Sequence, residues 1–193
     1  MGESEPKLEL RRVVRQSRTA RPSSHISEAT TTFTGHLTAV AADSSWHRIA
    51  AFLPTATEPP ITGFLTEFVS QGGWCAVPES GPDGLLLWHA LHEGFERDLT
   101  TDSLGMPIPS TQNTASLEDL DAVLVPAAAV DRDGNRLGWG KGYYDRFLAS
   151  IDASTLVVAI VFDSDVIDDI PTESHDRAVD LIVTEVDIYR VHA

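Results

Sequence analysis

The chain has 193 residues and a formal net charge of −15, with 14 basic against 29 acidic side chains and 42% apolar residues. That acidity argues against a nucleic-acid binder, which carries a basic footprint, and no apolar run reaches the roughly 20 residues that a bilayer-spanning helix needs. A lone cysteine, Cys75, excludes an internal disulfide; with an opening MGESEPK that lacks a signal-peptide core, the expectation is one cytoplasmic, monomeric domain over residues 1–193.

Ser4 and Pro6 open a helix expected to turn Leu10, Val13, Val14 and Ser17 inward. Lys7, Arg11, Arg15 and Arg18 follow at 4-4-3 spacing along another face, which reads as a solvated basic stripe. Six of the 14 basic residues precede Pro22, and Lys7 and Lys141 are the only lysines. Residues 20–45 are rich in Ser, Thr and Ala, and a second helix is expected only around His36 to Ala42. Ile49 to Leu53, before Pro54, reads as a short buried strand. Ile61, Phe64, Leu65, Phe68 and Val69 recur at i, i+3, i+4, i+7 and i+8, an amphipathic helix stopped by Gly72 and Gly73. Trp74 to Val77 and Leu85 to Trp88 are strand candidates, and Cys75 in the run WCAVP reads as a buried structural thiol. His89 and His92 form HxxH, but on a strand they point to opposite faces and lack a ligand cluster. Leu117 to Leu120 reads as a brief helix and Ala122 to Val125 as a strand. Leu156 to Phe162 is continuously apolar and β-branched, as a strand covered on both faces would be, and Leu181 to Thr184 is another. Strands alternating with helices predict an α/β fold: a single Rossmann-like three-layer domain with a mainly parallel sheet flanked by helices.

The densest segment is Val123 to Leu148, VLVPAAAVDRDGNRLGWGKGYYDRFL. Asp133-Gly134-Asn135 supplies turn chemistry. Gly138, Gly140 and Gly142 then alternate, with Lys141 between the last two, and a helix begins near Tyr143. Glycines allow close approach to the main chain, and a helix start offers unpaired N–H groups, so the loop suits an anion such as phosphate. A plain connecting loop is the competing reading, since neither the P-loop nor the dinucleotide fingerprint is present. Asp145 falls in the first helical turn, where a carboxylate either balances the helix end or, beside bound phosphate, holds Mg²⁺.

Taken whole, LVPAAAVDRDGNRLGWGKGYYDRFL resembles the signature of the 5-formyltetrahydrofolate cyclo-ligase family, the methenyltetrahydrofolate synthetases. The resemblance extends over nearly the whole chain. It includes the K-x-x-x-R of Lys7 and Arg11, the Arg48-to-Pro54 segment followed by Glu58, and PTESHDRAVDLIVTE near the C-terminus. What it implies is ATP-dependent cyclisation of 5-formyltetrahydrofolate, with or without a polyglutamate tail, to the 5,10-methenyl form. ATP would meet Lys7, Arg11, Arg136, Leu137, Gly138, Trp139, Gly140, Lys141, Gly142, Tyr143 and Tyr144. Folate would meet Leu53 and Glu58, together with Trp139, Gly140, Lys141, Gly142 and Tyr143. Arg136 and Lys141 would be catalytic, and Asp145 and Asp180 would coordinate Mg²⁺. An ionised Glu58 suits pterin N–H donors because it only accepts, though a charge ahead of the helix after Pro59-Pro60 would explain it equally.

The chain departs from the family pattern at Ala127, Val130 and Ile108, where Gly, Phe and Glu or Gln are common, and FDSD at 162–165 lacks a frequent Gln. His175 and Asp176 lie in a family-like segment without an assigned role. Two other readings stand beside the synthetase: a non-catalytic folate- or nucleotide-binding paralogue, and a sugar-phosphate isomerase supported by fold analogy alone. Replacing Lys141 by Ala is expected to cut turnover severely with an unchanged circular dichroism spectrum. Near-normal turnover from that well-folded variant would remove Lys141 from the reaction.

Overall fold

The computed structural model describes residues 5–111, 113–171 and 177–191. Helices α1 (Glu5–Thr19) and α2 (Ser23–Asp43) precede strand β1 (Arg48–Ala50), helix α3 (Thr62–Ser70), β2 (Trp74–Ser80) and β3 (Leu86–Ala90). Next come β4 (Leu99–Thr101), β5 (Pro107–Pro109), β6 (Ala122–Pro126), β7 (Ala129–Asp131) and β8 (Arg136–Leu137). Helix α4 (Tyr143–Leu148) leads to β9 (Leu156–Ile160), β10 (Val166–Ile167), β11 (Leu181–Val183) and β12 (Ile188–Arg190).

Seven strands form one sheet in the order β12-β11-β9-β6-β1-β2-β3. Its five central strands are parallel, and β3 and β12 are antiparallel edges. Helices cover both faces. Val158 and Ile160 of β9 join the core under α2 and α3, whereas Val157 and Ala159 join the core under α4. This two-sided burial explains the unbroken apolar run. The fold is therefore the three-layer α/β architecture that the sequence predicts. Among the described residues no helix is long and apolar enough to cross a membrane.

Helix α3 matches its periodicity closely. Phe64 and Leu65 are buried, Phe68 and Val69 pack beside them, and Gly72 at φ 90° follows the helix end. Helix α2 is far longer than expected. Its inward face is Ala29, Phe33, Leu37, Val40 and Ala41. The hydroxyls of Thr30, Thr32 and Thr34 donate to the carbonyls of Ile26, Glu28 and Thr30, which satisfies them inside the helix. Residues 117–120 are not helical. Asp119 has φ 53°, outside the right-handed helical region, and Arg48 binds the carbonyls of Glu118 and Ser116.

The largest correction concerns α1. Its buried residues are Arg11, Val14 and Arg18, while Val13 is 47% exposed and Ser17 faces solvent. Arg11 and Arg18 of the stripe expected in water are thus packed beside Leu10 and Val14, while Arg15 stays exposed and Lys7 is half-buried. This face lies on a second, three-stranded sheet, β10-β7-β8, with Leu10 and Val14 against Ala128, Ala129, Leu137 and Ile170. Arg18 explains why a basic face can be buried. Its Nε donates to Asp165 Oδ2 at 2.9 Å, and its Nη2 donates to the carbonyls of Ala127 and Ala128 at 2.8 and 3.1 Å. Burial lifts the Asp165 carboxyl above its ordinary value, against the downward pull of Arg18.

A raised folded value means that Asp165 holds its proton more readily in the native state than in the unfolded chain. Its contribution to stability is full below the unfolded value and is lost as pH rises through the folded one. The ion pair should nevertheless be costly to break, because Arg18→Met leaves a buried carboxylate uncompensated. That variant is expected to lose about 3–5 kcal/mol, read as a lower urea midpoint, and Asp165→Asn in the same background should recover part of it.

Candidate active site

Strand β1 has β2 on one side and β6 on the other, so successive connections leave it in opposite directions. In open parallel sheets the crevice for ligands forms beyond the carboxyl ends of the strands at such a switch point. Two segments meet there: residues 51–61 after β1, and the chain from Ala127 to Asp145 after β6.

The first segment leaves the sheet with the Ala51 N–H still bonded to Ala76 O. Leu53 is 2% exposed and belongs to the core under α2 and α3, so its side chain is taken up by packing. Glu58 closes the segment on itself: its Oε2 accepts from the Thr55 N–H and the Thr55 hydroxyl, each at 2.9 Å. Glu58 is only 7% exposed. It is a buried acceptor rather than a surface helix charge.

The second segment is shaped by Asp131. One carboxylate oxygen accepts from the N–H groups of Asp133 and Asn135, and the other from Asn135 Nδ2 and the Ile170 N–H. This fastens the β7–β8 hairpin, and β8 then delivers Arg136 and Leu137. Leu137 is buried in the small core shared with α1. Gly138 O accepts a 2.5 Å hydrogen bond from Arg11 Nε, which joins the N-terminal helix directly to the glycine loop. Lys7, one turn earlier on the same face, is half-buried. Trp139 packs beside this junction, with the Arg15 and Arg18 guanidinium carbons 5.5 and 5.4 Å from its ring centroid.

Gly140 and Gly142 have φ of 87° and 69°, values that other residues adopt only under strain, and Gly142 caps α4. Lys141 is exposed between them. The loop is braced from behind by Arg146, which donates to Lys141 O at 3.0 Å and to Gly84 O at 2.9 Å. Tyr143 reaches Gly81 O with its hydroxyl. Helix α4 has only six residues, so its dipole is slight, and the cationic character here comes from side chains.

Arg136 is nearly buried and ion-paired with the half-exposed Asp145. Its Nε and the Tyr144 hydroxyl are both buried without a hydrogen-bond partner. Burial pushes the Tyr144 phenol pKa up, the Glu58 carboxylate adds to the rise, and Arg136 opposes it. The structure therefore brings Glu58, Arg136, Tyr144 and Asp145 together with Arg11 and the glycine loop. Asp180 immediately precedes β11 and its Oδ2 accepts from the Val157 N–H at 2.7 Å, while the adjoining Val179 N–H donates to Gly134 O in the β7–β8 turn. Among the described residues no group of three His, Cys, Asp or Glu side chains converges as a metal site.

The remaining candidates divide plainly. His89 is buried against Glu79 at 2.7 Å, and the exposed contact of His92 is Nδ1 beside Glu93 O. Cys75 is fully buried, and desolvation pushes its thiol pKa up. Ile108 is 2% exposed in the β4–β5 hairpin and offers no polar contact. His175 and Asp176 lie outside the described residues. Sequence reasoning missed the burial of Arg18 and its partner Asp165, whereas Tyr144 packs the loop helix against Phe147 as its spacing predicts. The signal for Arg18 was present in the 7-11-15-18 spacing, but the side of the helix that packs was not.

Residues 3–185 match the 5-formyltetrahydrofolate cyclo-ligase family. The 5-formyltetrahydrofolate cyclo-ligase of Mycolicibacterium smegmatis is 33% identical over 144 residues, covering 72% of this chain and 74% of that protein. The Mus musculus protein of the same name is 26% identical over 155 residues, covering 72% and 73%. Among solved structures, Aquifex aeolicus 5,10-methenyltetrahydrofolate synthetase superposes with a TM-score of 0.81 at 25% identity, covering 97% of this chain and 93% of that one.

Gly142→Ala tests the loop geometry, because a Cβ there would be held at positive φ and lie 3.0 Å from Arg146 Nη1. The variant is expected to lose about 1–2 kcal/mol in thermal or urea denaturation.

Proposed function

The chain belongs to the 5-formyltetrahydrofolate cyclo-ligase family, and we propose that it closes 5-formyltetrahydrofolate to 5,10-methenyltetrahydrofolate at the expense of ATP, in the crevice between the β1 and β6 loops. The observation that carries this reading is the bond from Arg11 to Gly138 O, which joins a basic helix to the glycine loop in a protein of net charge −15. A polyanion is drawn to the junction of the helix that carries Lys7 and Arg11 with the loop that carries Arg136 and Lys141.

The chemistry asks for such a site. A formyl oxygen on nitrogen is a poor leaving group at neutral pH. Transfer of the γ-phosphoryl group to that oxygen, with ADP released, converts it into a good one. N10 of the same folate then attacks the activated carbon, and phosphate departs with the former formyl oxygen. The nucleophile is supplied by the substrate, so the protein's task is to hold the folate bent and to neutralise phosphate charge. Lys141, exposed at the tip of the loop, and Arg136, fixed behind it, are the side chains for that neutralisation. Loop amides between Gly138 and Gly142 add donors without adding bulk.

Asp145, half-exposed beside the glycine loop, is the carboxylate that would hold a magnesium ion, in competition with its ion pair to Arg136. Magnesium bound there would lower the repulsion between ATP and the carboxylates around it. Asp180 is the second carboxylate that the resemblance implies, and the Val157 N–H occupies one of its oxygens. A buried, solitary thiol agrees with a reducing cytoplasm, where we place a monomeric enzyme.

Buried Ile108 favours one alternative, a family member that binds folate without turning it over. Family membership leaves the isomerase without support. Purified protein mixed with 5-formyltetrahydrofolate, Mg²⁺ and ATP should generate methenyl absorbance, and omission of ATP or of Mg²⁺ should abolish it. Tight folate binding without product would instead establish the non-catalytic alternative.

A further inference from the structure

Two side chains of α4 end on the main chain of the β2–β3 turn, residues 81–85. Tyr143 Oη donates to Gly81 O at 3.3 Å, and Arg146 Nε donates to Gly84 O at 2.9 Å. Arg146 also turns Nη2 to Lys141 O at 3.0 Å, so one guanidinium ties the turn to the middle of the glycine loop. Its seat is shaped by glycines on both sides. A Cβ on Gly84 would overlap the guanidinium, and one on Gly142 would lie 3.0 Å from Nη1. Both glycines have positive φ, 73° and 69°. A side chain at either place would be strained in itself and would push the arginine off its carbonyls. A planar guanidinium fits such a slot and serves two acceptors at once, whereas an ammonium on a flexible stem is a single point charge.

Arg146 is exposed, so these bonds add little to the stability of the whole fold. What they fix is local. Lys141 O belongs to the peptide that joins Lys141 to Gly142. In a planar trans peptide the C=O and N–H point in opposite directions. Holding Lys141 O on Arg146 therefore turns the Gly142 N–H to the other side of the loop. We propose that Arg146 is a positioning residue for nucleotide binding: it locks the 141–142 peptide to the β2–β3 turn, so that the Gly142 N–H and the Lys141 side chain are set for phosphate before ATP arrives. Such ordering in advance removes part of the entropic cost of binding. The proposal rests on the reading of the glycine loop as the ATP site, and it adds the β2–β3 turn, which touches the loop from another part of the chain.

Variants at the two ends of the contact separate bracing from charge and from stability. Arg146→Met removes charge and fork together, Arg146→Lys keeps the charge alone, and Gly84→Ala keeps the arginine but spoils its seat. Wild type, these three variants and the Gly84→Ala/Arg146→Met combination would each be titrated calorimetrically with ATP and Mg²⁺ in the absence of folate. Separate titrations would use 5-formyltetrahydrofolate without ATP. Each single variant is expected to bind ATP about tenfold more weakly, equivalent to ~1.4 kcal/mol, with folate affinity unchanged. The combined variant should be no weaker than either single one, because both changes remove the same contact. In turnover assays the KM for ATP should rise while kcat is kept. Wild-type ATP affinity in any single variant, additive losses in the combination, or an equal loss of folate affinity would each overturn the proposal. If Gly84→Ala does not fold, the two Arg146 variants decide the matter alone. A wild type that binds ATP but makes no methenyl product ends the cyclo-ligase reading, while the ATP titrations still decide the role of Arg146. A wild type that binds no ATP overturns both.

Discussion

One buried guanidinium determines how the two halves of this molecule meet. Arg18 bonds Asp165, beyond the end of β9, and the carbonyls of Ala127 and Ala128, where the chain turns from β6 into β7. Three segments distant in sequence are thereby tied at the carboxyl edge of the sheet. The carbonyls at that turn have no ladder partner to spare, and a guanidinium can serve several acceptors at once. Once α1 is seated by Arg18, Arg11 lies two turns nearer its start on the same side and reaches Gly138. The position of the glycine loop is thus inherited from a contact made well away from it.

That dependence explains which parts of the molecule were legible in the sequence. Helix α3 and strand β9 carry their own patterns, 3.6-residue periodicity in one and unbroken apolar residues in the other, and both folded as expected. The glycine loop was recognisable because alternating glycines have few uses. Helix α1 was read correctly at Leu10 and Val14 and wrongly at Arg11 and Arg18, because hydropathy assigns arginine to water. Only a tertiary partner set of carbonyls, Asp165 and the Trp139 ring reverses that assignment. Helix α2 hid behind its threonines, whose low helix propensity is offset by bonds to the preceding turn and by a continuous inward face of Ala29, Phe33 and Leu37. Residues 117–120 failed in the other direction, since nothing local announces the left-handed Asp119.

The site was legible as a list of residue types and much less so as an arrangement. Lys141 is exposed and Leu53 is enclosed, although both were marked for ligand contact. Asp145 and Asp180 look equivalent in the sequence, yet one pairs with Arg136 beside the loop and the other fastens the start of β9. Such differences depend on which end of a strand a residue occupies, and that is a property of topology. Polar side chains kept from water without partners show the same thing energetically. Stability is given up locally where the fold is otherwise well satisfied, as binding sites commonly require.

The solitary cysteine has a consequence of a different kind. Cys75 lies fully buried on β2, between the parallel strand β1 and the edge strand β3, and desolvation holds its thiol in the unreactive neutral form. A thiol-modifying reagent can reach it only when that part of the central sheet opens. The rate of its labelling therefore serves as an internal clock for rupture of the sheet, read at one atom and without any introduced probe. Because β2 adjoins the switch point of the sheet, the same clock would register how far a ligand in the crevice slows that opening.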